Sequence, residues 1–144
     1  MVSGIDISPD LVRQAQSRFH REIAEGRVCV QLGDISHLPF HAAAFDRVFT
    51  INTIYLWPDT LQGLTEIRRV LKDGGLAAVS LRSKEKMQRH GVTDYDFHLF
   101  SKDEVADLMR KVGFPRDPPP QLAGDFGHCI RGGTCVERVA TYCP

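Results

Sequence analysis

Short β-branched runs that hand over directly to amphipathic helical segments constrain this chain more than any other feature. Val2 to Ile7 is such a run, and it ends at Ser8-Pro9. Ser is a strong N-cap and Pro suits the first helical position, so a strand passes straight into a helix. That helix is expected to carry Leu11, Val12, Ala15, Phe19 and Ile23 on one face and to stop at Gly26. A stripe of that kind must lie against a sheet. Val28-Cys29-Val30-Gln31-Leu32 reads as a second strand closed by Gly33-Asp34, and Phe45 to Ile51 as a third, after a loop containing Pro39. Asp59 or Thr60 can cap a helix with Leu61, Leu64, Ile67, Val70 and Leu71 inward. It stops at Asp73-Gly74-Gly75 and gives way to a strand from Leu76 to Leu81.

A polar segment, Arg82 to Phe100, precedes Ser101-Lys102-Asp103-Glu104, a Ser-x-x-Glu capping box. The helix it opens buries Val105, Leu108, Met109 and Val112 before Gly113. From Pro115 the texture changes, with five of the eight prolines in the last thirty residues. Residues 115–144 are read as an irregular segment ending in a strand pair, with a turn at Gly132-Gly133 and a final strand from Thr134 to Tyr142. Strands alternating with helices predict an α/β fold: a mostly parallel sheet, helices on both faces and a C-terminal antiparallel strand. No repeat breaks residues 1–144, which are read as a single domain.

Composition narrows the partners. Of 144 residues, 42% are hydrophobic and 25% charged, enough apolar material for a real core. Lys plus Arg and Asp plus Glu number 18 each, so the chain makes no electrostatic bid for nucleic acid. No apolar run approaches the roughly 20 residues of a membrane span, and no signal-like stretch opens the sequence, so a cytoplasmic location is expected. Cys29, Cys129, Cys135 and Cys143 form no C-x-x-C pair, which favours reduced thiols. His37 and His41 are four apart but flank Pro39 and have no evident third ligand, so no metal is expected.

Sheets of this class bind ligands outside the carboxyl ends of their strands, which directs attention to the loops after Ile7, Leu32, Ile51 and Leu81. Asp6 ends the first strand, where its two oxygens can accept from both hydroxyls of a ribose; it can equally cap the following turn with Ser8. Asp34 repeats the arrangement at the next strand, with Gly33 letting the backbone turn beside it. An ordinary Gly-Asp turn is the alternative there.

Four segments then occur in order: Gly4-Ile5-Asp6-Ile7-Ser8-Pro9, Gly33-Asp34-Ile35-Ser36-His37-Leu38-Pro39-Phe40, Phe45-Asp46-Arg47-Val48 and Arg69-Val70-Leu71-Lys72-Asp73-Gly74-Gly75. Together they resemble a class I S-adenosylmethionine-dependent methyltransferase, a Rossmann-like domain, over Val2 to Gly113. The resemblance implies S-adenosylmethionine as cofactor, with Asp6 on the ribose, Ile7 on the adenine, and Gly33, Asp34 and the Ile35 amide at the adenine edge. It puts Asn52 near the methionine part as the best polar candidate. Tyr55 and Trp57 either present ring faces to the sulfonium or the acceptor, a contact worth about 0.5 to 2 kcal/mol, or pack the next helix on the sheet. Tyr95 and Phe97 fall on the substrate side beside His98. His98 or His90 could serve as a general base, though each also reads as a solvated loop histidine.

The resemblance also implies a strand with a glycine-rich loop, and a helix, ahead of Val2, the strand lying centrally between those ending at Asp6 and Ile51. The deficit has three readings: a fragment or mis-started frame, a second chain or N-terminal segment that completes the sheet, or a closed sheet with lost activity. The first is the expectation, because Val2 falls at the start of a family strand. The expected reaction is in-line methyl transfer to a small-molecule acceptor. A nicotinamide-dependent oxidoreductase, and an inactive domain that binds another chain by strand addition, are the alternatives.

Overall fold

The computed structural model describes residues 1–82, residues 98–114 and the backbone of residues 128–132. Strand β1, Val2–Asp6, leads through Ser8 into helix α1, Pro9–Arg18, and the Ser8 hydroxyl accepts from the Leu11 amide as the sequence predicts. The expected single helix is broken at Phe19, whose φ of −103° and ψ of 23° separate α1 from a short helix α2, His20–Ala24. Its stripe is also shallower than the spacing suggests: Val12 is buried, whereas Leu11 and Phe19 remain 51% and 40% exposed. Strand β2, Val28–Leu32, lies parallel to β1 with Asp6 opposite Leu32.

Strand β3, Phe45–Ile51, ends at Asn52, and a 3-10 turn over Ile54–Leu56 leads into helix α3, Thr60–Val70. Asp59 is the cap, accepting from the Gln62 amide. Strand β4 spans Leu71–Leu81, five residues more than expected at its start. The glycine pair sits inside this extended run: Gly74 takes φ +73°, and the register against β3 slips between Phe45 opposite Leu71 and Arg47 opposite Leu76. Helix α4, Lys102–Lys111, opens with the complete capping box, Ser101 and Glu104 each accepting the other's amide. Strand β5, His128–Gly132, pairs antiparallel with β4. It lies just ahead of the expected final strand from Thr134 to Tyr142, which falls outside the described residues.

Both chain-adjacent pairings, β1 with β2 and β3 with β4, are parallel, as the alternating pattern requires. Among the described residues β1 has no strand neighbour but β2, and β3 none but β4, so the sheet divides between β1 and β3. The core belongs to one side of that division. Ile54, Leu64, Ile67, Val79, Leu81 and Val105 are all at most 1% exposed and come from β4, α3, α4 and the 3-10 turn. Around β1 and β2 only Val12 and, in the following loop, Leu38 are buried. Val2 and Leu32 are more than half exposed, as is Phe49 on β3.

Candidate functional site

The carboxyl ends of β1 and β2 bring together five of the residues expected to hold the cofactor. Asp6 Oδ1 accepts from the Ser8 amide at 2.8 Å, and Asp34 Oδ1 accepts from the Ser36 amide at 2.8 Å. Each acid thus holds its own turn through one oxygen, which satisfies the capping reading. The turns are joined, because the Gly33 amide donates to the Asp6 carbonyl at 3.0 Å. A side chain at position 33 would crowd this junction, since its Cβ would lie 3.3 Å from the Ile5 side chain and 3.4 Å from Pro39. Ile7, the apolar neighbour of Asp6, is 68% exposed. Ile35 is half-buried and packs on the core.

The second cluster stands at the ends of β3 and β4. Asn52 has φ +55°, a left-handed backbone that Asn adopts more readily than most residues, and its amide donates to the Ser80 carbonyl at 2.9 Å. The buried Tyr55 hydroxyl donates to Asn52 Oδ1 at 2.9 Å and accepts from the Arg82 amide at 2.7 Å. It therefore ties the loop after β3 to the end of β4. Burial pushes the Tyr55 phenol above its ordinary range and keeps the proton it donates. Trp57 is buried against Gly63 of α3, as the packing reading requires, rather than presenting a face at the strand ends. His98 is exposed; its amide donates to the Tyr55 carbonyl at 3.3 Å and its ring stacks on Phe100. Tyr95, Phe97 and His90 lie outside the described residues.

The loop between β2 and β3 is tied to α3 by residues to which the sequence attached no function. Glu66 is the one buried charged residue among those described. Its Oε2 accepts from the Leu38 amide at 2.8 Å, and Arg69 pairs with both its oxygens, Nε to Oε1 at 2.6 Å and Nη2 to Oε2 at 2.7 Å. Arg69 then donates to the Phe40 and Leu38 carbonyls at 2.8 and 3.0 Å. The guanidinium holds the Glu66 carboxyl below its ordinary value, outweighing desolvation. A signal was present, since Glu66 precedes the inward Val70 by four residues and so falls on the flank of the buried stripe.

The chain matches the methyltransferase domain family over residues 1–79, more than half its length. It belongs to that family, the class I S-adenosylmethionine-dependent methyltransferases, with their Rossmann-like fold. It is 32% identical over 137 residues to erythromycin 3''-O-methyltransferase of Saccharopolyspora erythraea, covering 95% of this chain and 37% of that one. It is 28% identical over 123 residues to the O-methyltransferase cnsE of Penicillium expansum, covering 78% of this chain and 43% of the other. Among solved structures, an S-adenosylmethionine-dependent methyltransferase of Thermotoga maritima superposes with a TM-score of 0.64 at 25% identity, over 93% of this chain and 68% of that one. A protein of Pyrococcus horikoshii does so with a TM-score of 0.75 at 21% identity, covering 92% and 70%. The chain spans less than half the length of the curated relatives it matches.

Proposed function

We propose that this chain serves the transfer of a methyl group from S-adenosylmethionine to a small-molecule acceptor by in-line displacement. The observation that carries this is the joined pair of acid turns at the ends of β1 and β2, with exposed Ile7 beside them. The residues suit the group. Asp6 spends Oδ1 on its own turn, and its other oxygen can accept from ribose hydroxyls. Ile7 offers an apolar surface to the adenine, and Asp34 with the Ile35 amide offers an acceptor and a donor to its edge. When bound, the cofactor supplies an electrophilic methyl on a sulfonium.

The chain's own work is orientation. Tyr55 fixes Asn52 at the end of β3, where the amide can position the cofactor's amino acid part or the acceptor. His98, anchored through its backbone to Tyr55, is the side chain offered as a base where the acceptor must lose a proton. Relatives named for erythromycin and for 27-O-demethylrifamycin SV favour a small molecule over a macromolecular acceptor. They also favour methyl transfer over nicotinamide chemistry.

Calorimetric titration of the full chain with S-adenosylhomocysteine tests this. Asp6→Ala is expected to weaken binding about tenfold, the order of one lost charge-assisted hydrogen bond, with circular dichroism unchanged. Equal affinity in the two proteins removes Asp6 from the site. Binding of a nicotinamide dinucleotide in place of S-adenosylhomocysteine refutes the methyltransferase reading.

A further inference from the structure

A loop that carries a ligand-binding acid must have its own backbone satisfied, and here the strands do not do it. After β2 the loop has a single bridge, Asp34 with His37, and then runs to β3 without a ladder. Its main-chain groups find partners on α3 instead. Gln62 Nε2 donates to the Ser36 carbonyl at 3.1 Å, Glu66 takes the Leu38 amide, Arg69 takes the Leu38 and Phe40 carbonyls, and the Ala43 amide donates to the Arg69 carbonyl at 2.9 Å. Unmet, buried groups of this kind would carry the full cost of desolvation.

The choice of a charged pair is informative. Burying the Glu66 carboxylate against a half-buried guanidinium costs desolvation, and apolar residues of similar volume often stabilise as well or better. What Glu66 and Arg69 add is direction, because a bidentate fork fixes the guanidinium plane and with it the positions of two carbonyls and one amide. Glu66 and Arg69 stand on α3, the helix that contributes Leu64 and Ile67 to the core.

We infer that Glu66 and Arg69 are positioning residues for cofactor binding, setting the loop that begins at Asp34 against α3 without touching the cofactor themselves. This rests on the cofactor reading of Asp34. Asp34 is then placed with reference to the core on the far side of the sheet division, and its position does not depend on the thinly packed β1–β2 pair alone.

The test is a double-mutant cycle read by calorimetry with S-adenosylhomocysteine, together with amide hydrogen exchange of the loop. Glu66→Gln, nearly isosteric, is expected to raise the Kd about tenfold, the order of a weakened charged hydrogen bond. In an Asp34→Ala background the same change is expected to add little, because the clamp acts through that acid. Faster exchange at Leu38 and Ala43, with α4 unaffected, is expected without any ligand present. Should Glu66→Gln fail to fold, Arg69→Lys retains the charge but loses the fork, and serves in the same cycle. A full tenfold loss in the Asp34→Ala background, or unchanged exchange at Leu38, overturns the inference. Absence of binding by the unsubstituted chain overturns the cofactor reading and the positioning role with it, while the exchange arm separately reports whether the clamp holds the loop.

Discussion

The two parallel strand pairs of this chain are built to different depths. β3 and β4 carry α3, α4 and a core in which Ile54, Leu64, Val79, Leu81 and Val105 are sealed from solvent. β1 and β2 carry α1 and α2, with Val12 as their one buried hydrophobic side chain and with Ile7, Leu11 and Leu32 more than half exposed. Yet the shallow pair holds Asp6 and Asp34, the acids proposed here to hold the cofactor. A binding surface can stand on little core of its own when its loop is fastened to a neighbour that has one. The fastening here is polar and directional, through Glu66 and Arg69, while Ile35 and Trp57 meet Gly63 beside it.

The largest effect that bears on this contrast belongs to the deep side. Ile67→Ala is expected to cost about 2 to 5 kcal/mol in urea unfolding, the transfer loss plus an unfilled cavity. Leu11→Ala, at an exposed position, should stay within about 0.5 kcal/mol. Equal losses would break the contrast.

Next in size is Ser101→Ala, which removes half of the capping box of α4. A loss of about 1 kcal/mol is expected, without change in the exchange of loop amides 34–43. Accelerated exchange in that loop would show that α4 and the acid turns are coupled, contrary to the division described.

The smallest effect depends on pH. Arg69 lowers the folded-state pKa of Glu66 below its ordinary 4.5. A depressed carboxylate contributes stability that is present in full above the unfolded value and is lost as pH falls through the folded one. The gap in urea midpoint between the unsubstituted protein and Glu66→Gln is therefore expected to be constant near neutrality and to close only below pH 4.5. A gap that closes near neutral pH would assign it to another group.

Much of the architecture was legible because its signals are local. Ser8-Pro9, Asp59 and the Ser101 to Glu104 box each act within one helical turn, and the structure uses all three as caps. The break at Phe19 was not legible, since the spacing of Leu11, Ala15, Phe19 and Ile23 is that of an unbroken helix. The start of β4 was misplaced for a related reason. Gly74 and Gly75 have the look of a helix stop, but here the positive φ of Gly74 accompanies a register slip inside a strand. Asp6 and Asp34 could be singled out as site candidates because strand ends are where sheets of this class bind. Glu66 and Arg69 could not be assigned a role, because the backbone atoms they meet are 28 to 31 residues away in sequence. An i, i+3 pair of opposite charge on a helix usually means a solvated face.

Gly63 acts as a gauge for the whole assembly. A Cβ there would lie 2.8 Å from Trp57 Cε3 and 3.1 Å from Ile35 Cγ1. The closeness of α3 to the acid-bearing loop is thus metered by one hydrogen atom in place of a methyl. A spacer of that size would press on Ile35, the next residue after Asp34, and so alter the reach of the proposed cofactor surface while leaving every charged group in the chain as it is.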